Sequence, residues 1–176
     1  MASPKRRKDS PPDLSASLED YLEVIHHLQE KNKVARAKDI AEGLGVTRGS
    51  VTGSLKALAA KGLIEYAPYS FITLTDKGAA LAREVIHRHR TLEAFFSQVL
   101  RLDKPKADII ACQVEHEVDS ETIDRLVSFL EFLKECPRVR GRWLERFENY
   151  CRFGIDSSRC SECVREAVEF LEEGPS

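Results

Sequence analysis

Three side chains able to ligate a metal stand close together in the second half of the chain: Cys112, Glu115 and His116. At i, i+3 and i+4 a helix puts a thiolate, a carboxylate and an imidazole on one patch, about half of an octahedral shell without any loop. Other helices must supply the rest. Asp20 and Glu23, three residues apart, lie on a predicted first helix, and His89 lies on a predicted long one. Together they would close an oxygen- and nitrogen-rich site with one sulfur. Metal-dependent hydrolases use the same residue types. No distinct nucleophile or general acid accompanies the set, so it reads as a cation site and the protein as a non-enzyme.

A second constellation lies in the tail, where Cys136, Cys151, Cys160 and Cys163 supply four thiols, the last two as Cys-x-x-Cys. Four thiolates suit Zn(II), which would stabilise a short tail. They also suit an iron–sulfur cluster, which would make the tail a redox sensor. Four reduced thiols in a helical tail need neither, and the gap from Cys136 to Cys151 is longer than in usual zinc ribbons. A regulator that signals through oxidation or cluster loss at these thiols is the alternative to one that signals through the Asp20-to-His116 set. His26, His27 and His87 read as ordinary helix residues, with no ligand spacing recognised around them.

The elements that must position these groups follow from periodicity. The first helix opens at Ser15 or Ser17, and Leu18, Tyr21, Leu22, Ile25 and Leu28 form its buried stripe up to about Lys31. A short helix with Ile40, Ala41 and Leu44 inward closes at Gly45, and the next starts at Thr47, an N-cap whose hydroxyl accepts from an orphan backbone N–H. Val51, Leu55 and Leu58 are its inward face. Its outward face is small and polar, which suits a major groove about 12 Å wide. Beyond Lys61-Gly62, residues 63–66 and 71–75 alternate on either side of a turn at Pro68-Tyr69-Ser70, a hairpin pattern. Helix, turn, helix and hairpin make a winged helix-turn-helix. Thr47, Arg48, Ser50, Thr52 and Lys56 are its candidate groove-facing residues, while Arg36, Lys38 and the wing residue Tyr69 lie nearer the phosphates.

After the wing, an apolar stripe from Ala79 to Val99 predicts a long helix that reaches about Leu100. A loop at Asp103-Lys104-Pro105 precedes a helix over residues 106–118, and Asp119 or Ser120 caps another with Ile123, Leu126, Val127, Leu130 and Leu133 inward. The predicted fold is mainly α, in four segments: a disordered basic arm (1–14), a winged helix-turn-helix (15–76), a helical metal-binding domain (77–135) and a Cys-rich helical tail (136–176).

Composition agrees with a cytoplasmic protein: charged residues are 32% of the chain, no apolar run is long enough to span a membrane, and no secretory leader is expected. Without one, five cysteines argue for metal or thiol chemistry over a disulfide framework. The net charge of −2 is unevenly shared. Arg36, Lys38, Arg48, Lys56 and Lys61 face only Asp39 and Glu42 within the helix-turn-helix, and Lys5 to Lys8 add a basic run. A basic end on an acidic body still gains from counterion release at phosphates.

SLEDYLEVIHHL, the winged motif, HRHRTLEAFF and CQVEHEVDSETIDRL resemble, in order and spacing over about residues 15 to 135, the diphtheria-toxin-repressor and manganese-transport-regulator (DtxR/MntR) family. The resemblance implies a homodimeric repressor with a winged-helix domain and an all-helical dimerisation domain. It also implies that Fe(II) or Mn(II) binds between these domains and permits operator binding. Asp20 and Glu23 match the two carboxylates of manganese-type members, and Cys112 matches a cysteine of iron-type members. Glu115, His116 and His89 match ligands of both branches. Glu93 matches an ancillary ligand of the iron type, and Asp108 stands where another ancillary ligand would be a histidine. Cys112 is the softest donor, which tilts the set towards Fe(II) and also admits Zn(II) or Co(II).

Overall fold

The computed structural model describes residues 14–67, 70–136 and 142–154. Helices α1 (Ala16–Asn32), α2 (Ala37–Leu44) and α3 (Arg48–Ala60) come first, followed by a two-stranded wing, β1 (Ile64–Glu65) and β2 (Thr73–Leu74). The long α4 (Asp76–Ala94) runs into a π-helical turn (Phe95–Val99), and α5 (Lys104–Val114), α6 (Ser120–Glu135) and α7 (Arg142–Phe153) complete the described chain. The protein is mainly helical, a winged helix-turn-helix followed by helices, as the periodicity predicts.

Local chemistry sets the boundaries. α2 stops where Gly45 takes φ 66°, a left-handed conformation that only glycine adopts without strain. α3 opens as predicted, with the Thr47 hydroxyl accepting from the Ser50 N–H at 3.4 Å. The expected inward stripe of Val51, Leu55 and Leu58 is fully buried, together with Leu22 and Ile25 of α1, Ile40 of α2, and Leu63 and Ile72 of the wing. Each such side chain stabilises the fold by about 1.5–3 kcal/mol relative to exposure.

β1 and β2 pair antiparallel, Ile64 with Leu74 and Glu65 with Thr73. Both strands are shorter than the alternation predicts. Ile72 instead exchanges two backbone hydrogen bonds with Ala35, at 2.9 and 3.2 Å, so the α1–α2 connection forms a further rung. Thr75 turns to cap α4, its hydroxyl accepting from Gly78 N–H at 3.1 Å and donating to Gly62 C=O at 2.8 Å. The Gln29 side-chain oxygen accepts from the Leu74 N–H at 2.9 Å and so ties α1 to the wing.

α4 is common to two apolar clusters. Ala82 belongs to the winged-domain core, whereas Leu92 packs with Ala111 and Ile123 under Phe96, Val114, Val118, Leu126 and Val127. α5 begins two residues earlier than predicted, because Asp103 accepts from the Lys106 N–H at 3.3 Å and Pro105 fits the first turn. It also stops earlier, at Val114, where the Glu117 N–H turns to the Val114 carbonyl at 3.0 Å. Glu115 keeps helical backbone angles, while His116 lies in the turn.

Candidate metal centre

Three elements meet at one cluster of charge. α1 brings Glu19, Asp20 and Glu23, α4 brings Arg88 and His89, and the end of α5 brings Glu115 and His116. Asp20, Glu115 and His116 each offer a donor atom within 4.8 Å of the other two. His116 Nε2 is 3.0 Å from Asp20 Oδ1 and 3.4 Å from Glu115 Oε1. Its Nδ1 is 2.7 Å from Glu19 Oε2, which also accepts from Arg88 Nη2 at 2.8 Å. His89 lies between two carboxylates, with Nδ1 2.7 Å from Glu115 Oε2 and Nε2 3.1 Å from Asp108 Oδ1.

The electrostatics are those of an acid cluster in need of a cation. Glu115 is completely buried, yet its Oε1 has no hydrogen-bond partner. A buried carboxylate with a free lone-pair site is costly unless something positive fills it. Burial and then the Glu115 charge push the Glu23 carboxyl up. Burial likewise raises Asp20 against the opposing pull of His116, with Glu115 and Glu19 adding to the rise. The Cys112 thiol is raised by burial and by Glu115, Asp20, Glu23 and Asp108 in turn. Chiefly through its hydrogen bond to Glu115, His89 is pushed up to about 9, so both ring nitrogens carry protons at neutral pH. A divalent cation would favour the ionised carboxylates and thiolate and displace the His89 proton. The residues fit a metal by this test.

The predicted set therefore separates. Asp20, Glu115 and His116 converge, His89 is bonded to Glu115, and Glu23 is close enough to feel Glu115 and His89. Cys112 is exposed at the rim, within the field of the four carboxylates. Glu93 instead approaches Lys104, at 4.0 Å. Two participants, Glu19 and Arg88, were not anticipated. Glu19 precedes Glu23 by four residues and Arg88 adjoins His89, but only tertiary packing shows that both meet His116 or its partner.

The residues expected to face DNA lie partly together. Thr47, Arg48, Ser50, Thr52 and Lys56 are all exposed along α3, as are Arg36 and Lys38 at α2. Arg36, Thr52 and Lys56 line one open cleft of about 940 Å³ with Tyr66, Ser70 and Phe71. The Arg36 guanidinium sits 5.3 Å over the centre of the half-exposed Phe71 ring, a contact sequence reading missed. Lys38 reaches back to Glu42 at 3.7 Å. Tyr69, Cys160, Cys163 and residues 1–13 lie outside the described residues.

Cys136 ends α6 half-buried and Cys151 is exposed on α7. Among the described residues neither enters a group with metal-ligand geometry. The reading of His26 and His27 is corrected: with Glu30 they do form such a group, one donor atom of each lying within 4.8 Å of the others. The signal was in the spacing, since Glu30 stands four residues from His26 and three from His27 on one helix.

Residues 13–72 match the family model of the iron-dependent repressor N-terminal DNA-binding domain, and residues 75–144 match that of the iron-dependent repressor metal-binding and dimerisation domain. An uncharacterised HTH-type transcriptional regulator of Methanocaldococcus jannaschii is 36% identical over 123 residues, covering 69% of this chain and 98% of that protein. The chain belongs to the DtxR/MntR family of metal-dependent transcription repressors. Within that family, the HTH-type regulator MntR of Lysinibacillus sphaericus is 32% identical over 70% of this chain and 88% of its own length. A solved manganese-dependent transcriptional repressor in complex with manganese superposes with a TM-score of 0.61 at 32% identity, over 65% of this chain. This chain spans about half of that regulator's length, 53%. No helix among the described residues is long and apolar enough to cross a membrane.

Proposed function

We propose that this family member is a cytoplasmic, homodimeric repressor that binds a palindromic operator when loaded with Fe(II) or Mn(II), and that it controls genes of iron or manganese handling. The observation that carries the reading is the convergence of Asp20, Glu115 and His116 from separate elements around a buried, unpartnered carboxylate oxygen. Asp20, Glu23, His89, Cys112, Glu115 and His116 would hold the ion, with Glu93 in an ancillary role. Carboxylates are half of this set, which suits Mn(II) and Fe(II); Cys112 at the rim is the donor through which Zn(II) would also be accepted. The bound ion supplies positive charge in a site that otherwise concentrates negative charge.

The chain's own groups do the rest. Glu19 links α1 to Arg88 of α4 and to His116 beyond α5, orienting the imidazole through Nδ1 so that Nε2 faces Asp20 and Glu115. α1 is in turn bonded to the wing through Gln29, so a change at Asp20 or Glu23 would be passed to the wing. A ligand shifts such an equilibrium only by binding the DNA-competent arrangement better than the other. Arg36 and Lys38 are assigned to phosphates, and Thr47, Arg48, Ser50, Thr52 and Lys56 to the groove, with Tyr69 on the wing.

The test is fluorescence anisotropy of the purified protein on its own upstream DNA, at fixed salt and without oxygen. It is run in chelator and with Mn(II), Fe(II) or Zn(II). Binding that appears with one ion and vanishes in chelator supports the reading and names the effector. Binding indifferent to every ion overturns it.

A further inference from the structure

His26, His27 and Glu30 occupy the C-terminal half of α1, one turn beyond Glu23. Glu30 Oε2 is 3.7 Å from His26 Nδ1 and 3.8 Å from His27 Nδ1, and the two rings meet edge to face. An exposed His–Glu pair on a helix is usually solvated and worth little. His26 is different, because its side chain is only 16% exposed and its Nδ1 is shielded from solvent without a hydrogen-bond partner. Glu30 stands too far off to satisfy that nitrogen directly, at a separation that leaves room for an atom between them. Tilting His27 towards Glu30 also leaves its Nε2 3.6 Å from Glu23 Oε1. One ring nitrogen thus faces the would-be ligand atoms and the other a carboxylate, the pairing typical of metal-binding histidines.

We propose that His26, His27 and Glu30 form a second divalent-cation site, of a nitrogen-rich kind that takes Zn(II) ahead of Mn(II). Two imidazoles and one carboxylate, with solvent on the fourth side, match the three-ligand sets zinc accepts. The Asp20-to-His116 cluster is carboxylate-rich and prefers the harder ions, so the two sites sort cations by donor type. Glu23 stands between them, close to His27 on one side and feeling Glu115 and His89 on the other. Zinc on His27 Nδ1 fixes the proton on Nε2 and directs it at Glu23, so occupancy here is communicated to the first cluster through one carboxylate.

The experiment counts Zn(II) per chain by anaerobic equilibrium dialysis of the reduced full-length protein. Wild type is compared with Glu30→Gln and His27→Gln, two exposed positions whose substitution spares the core. Imidazole 1H–15N spectra are recorded in parallel. Wild type takes up one more equivalent of zinc than either variant, zinc shifts the ring signals of His26 and His27, and Mn(II) uptake is equal in all three. Glu115→Gln keeps this zinc equivalent, which separates the two sites. Equal zinc counts in wild type and both variants, or zinc-induced shifts confined to His89 and His116, overturn the proposal.

Discussion

Replacing Glu115 with glutamine separates the site's role in metal binding from its role in stability. The structure holds a buried carboxylate with one oxygen accepting no hydrogen bond and the other on His89. Glutamine has the same shape, keeps an acceptor for the His89 N–H, and removes the charge that raises Asp20 and Glu23. The partner is not stranded, since His89 without Glu115 returns towards its ordinary range and sheds its proton near neutrality. In chelator the variant is therefore expected within about 1 kcal/mol of wild type, unlike cases where a buried charge loses a partner that cannot neutralise. For a chain of this length that is roughly 2–4 °C in Tm. An ion at a hundredfold excess over its Kd stabilises the native state by about 2.7 kcal/mol, or roughly 5–10 °C. Wild type should show that rise with Mn(II) or Fe(II), and Glu115→Gln should lose nearly all of it. Differential scanning fluorimetry in chelator and in metal reads both numbers. A full metal-induced rise in the variant would show that Glu115 is not a ligand, and a chelator Tm lowered by more than about 10 °C would show that its main role is structural.

Three further outcomes follow from particular contacts. His89 holds its proton to about 9, so ion uptake at pH 7 should release close to one proton from it, read as buffer-dependent calorimetric heat, and affinity should climb as pH rises towards 9. By the same linkage, the stability His89 lends the chelated protein is complete below about pH 6.5 and lost as pH passes 9; urea midpoints at pH 6, 8 and 10 should fall in that order, less steeply in Glu115→Gln. Gly78→Ala would put a Cβ 1.9 Å from the Leu63 carbonyl oxygen, costing about 2–4 kcal/mol in urea unfolding despite alanine's better helix propensity, whereas Gly53→Ala, with open space around it, should gain about 0.5–1 kcal/mol. Phe71→Ala removes the surface under Arg36 and should weaken operator binding by roughly two- to fivefold, the worth of one exposed cation–π contact, with no change in metal uptake; unchanged affinity would detach Arg36 from the phosphate contacts.

Much of this was readable in the order of residues because it depends on local rules. The α3 stripe, the Thr47 cap and the Gly45 stop are set within a few residues of themselves, and each appears where periodicity and capping place it. The Ala35–Ile72 rung has no such signature, since one pair of residues makes no alternation. α5 starts earlier than expected because Asp103-Lys104-Pro105, read as a loop, is the cap and first turn of the helix, and it stops earlier because the Glu117 N–H turns to the Val114 carbonyl. At the candidate site, helical spacing put Asp20 and Glu23 on one side of α1 and Glu115 and His116 on one patch, and the structure brings Asp20, Glu115 and His116 together. Glu19 could be recognised only once Arg88 and His116 were known to face it. Glu93, which only the family resemblance put at the site, has its carboxylate 4.0 Å from Lys104.

No flexible linker separates the two halves among the described residues; α4 is a single spine running through both. Its first turns are packed into the winged core, with Gly78 against Leu63 and Ala82 fully buried, and its last turns belong to the second cluster through Leu92. Arg88 and His89 lie between those anchorages. A cation held there cannot swing one domain freely about the other, because doing so would break apolar packing at both ends of α4. The middle of the spine is tied to α1 and the α5 turn by Glu19, which joins Arg88 to His116, and a cation held by Asp20, Glu115 and His116 would add to that tie. The displacement within one chain should then be small. Moving a two-state equilibrium from about 1:99 to 99:1 takes roughly 5.5 kcal/mol of differential binding. Asp20, Glu23 and Cys112 all have raised pKa values, so each would be more easily ionised with a cation among them, and that gain can contribute only where the DNA-competent arrangement holds the cation better.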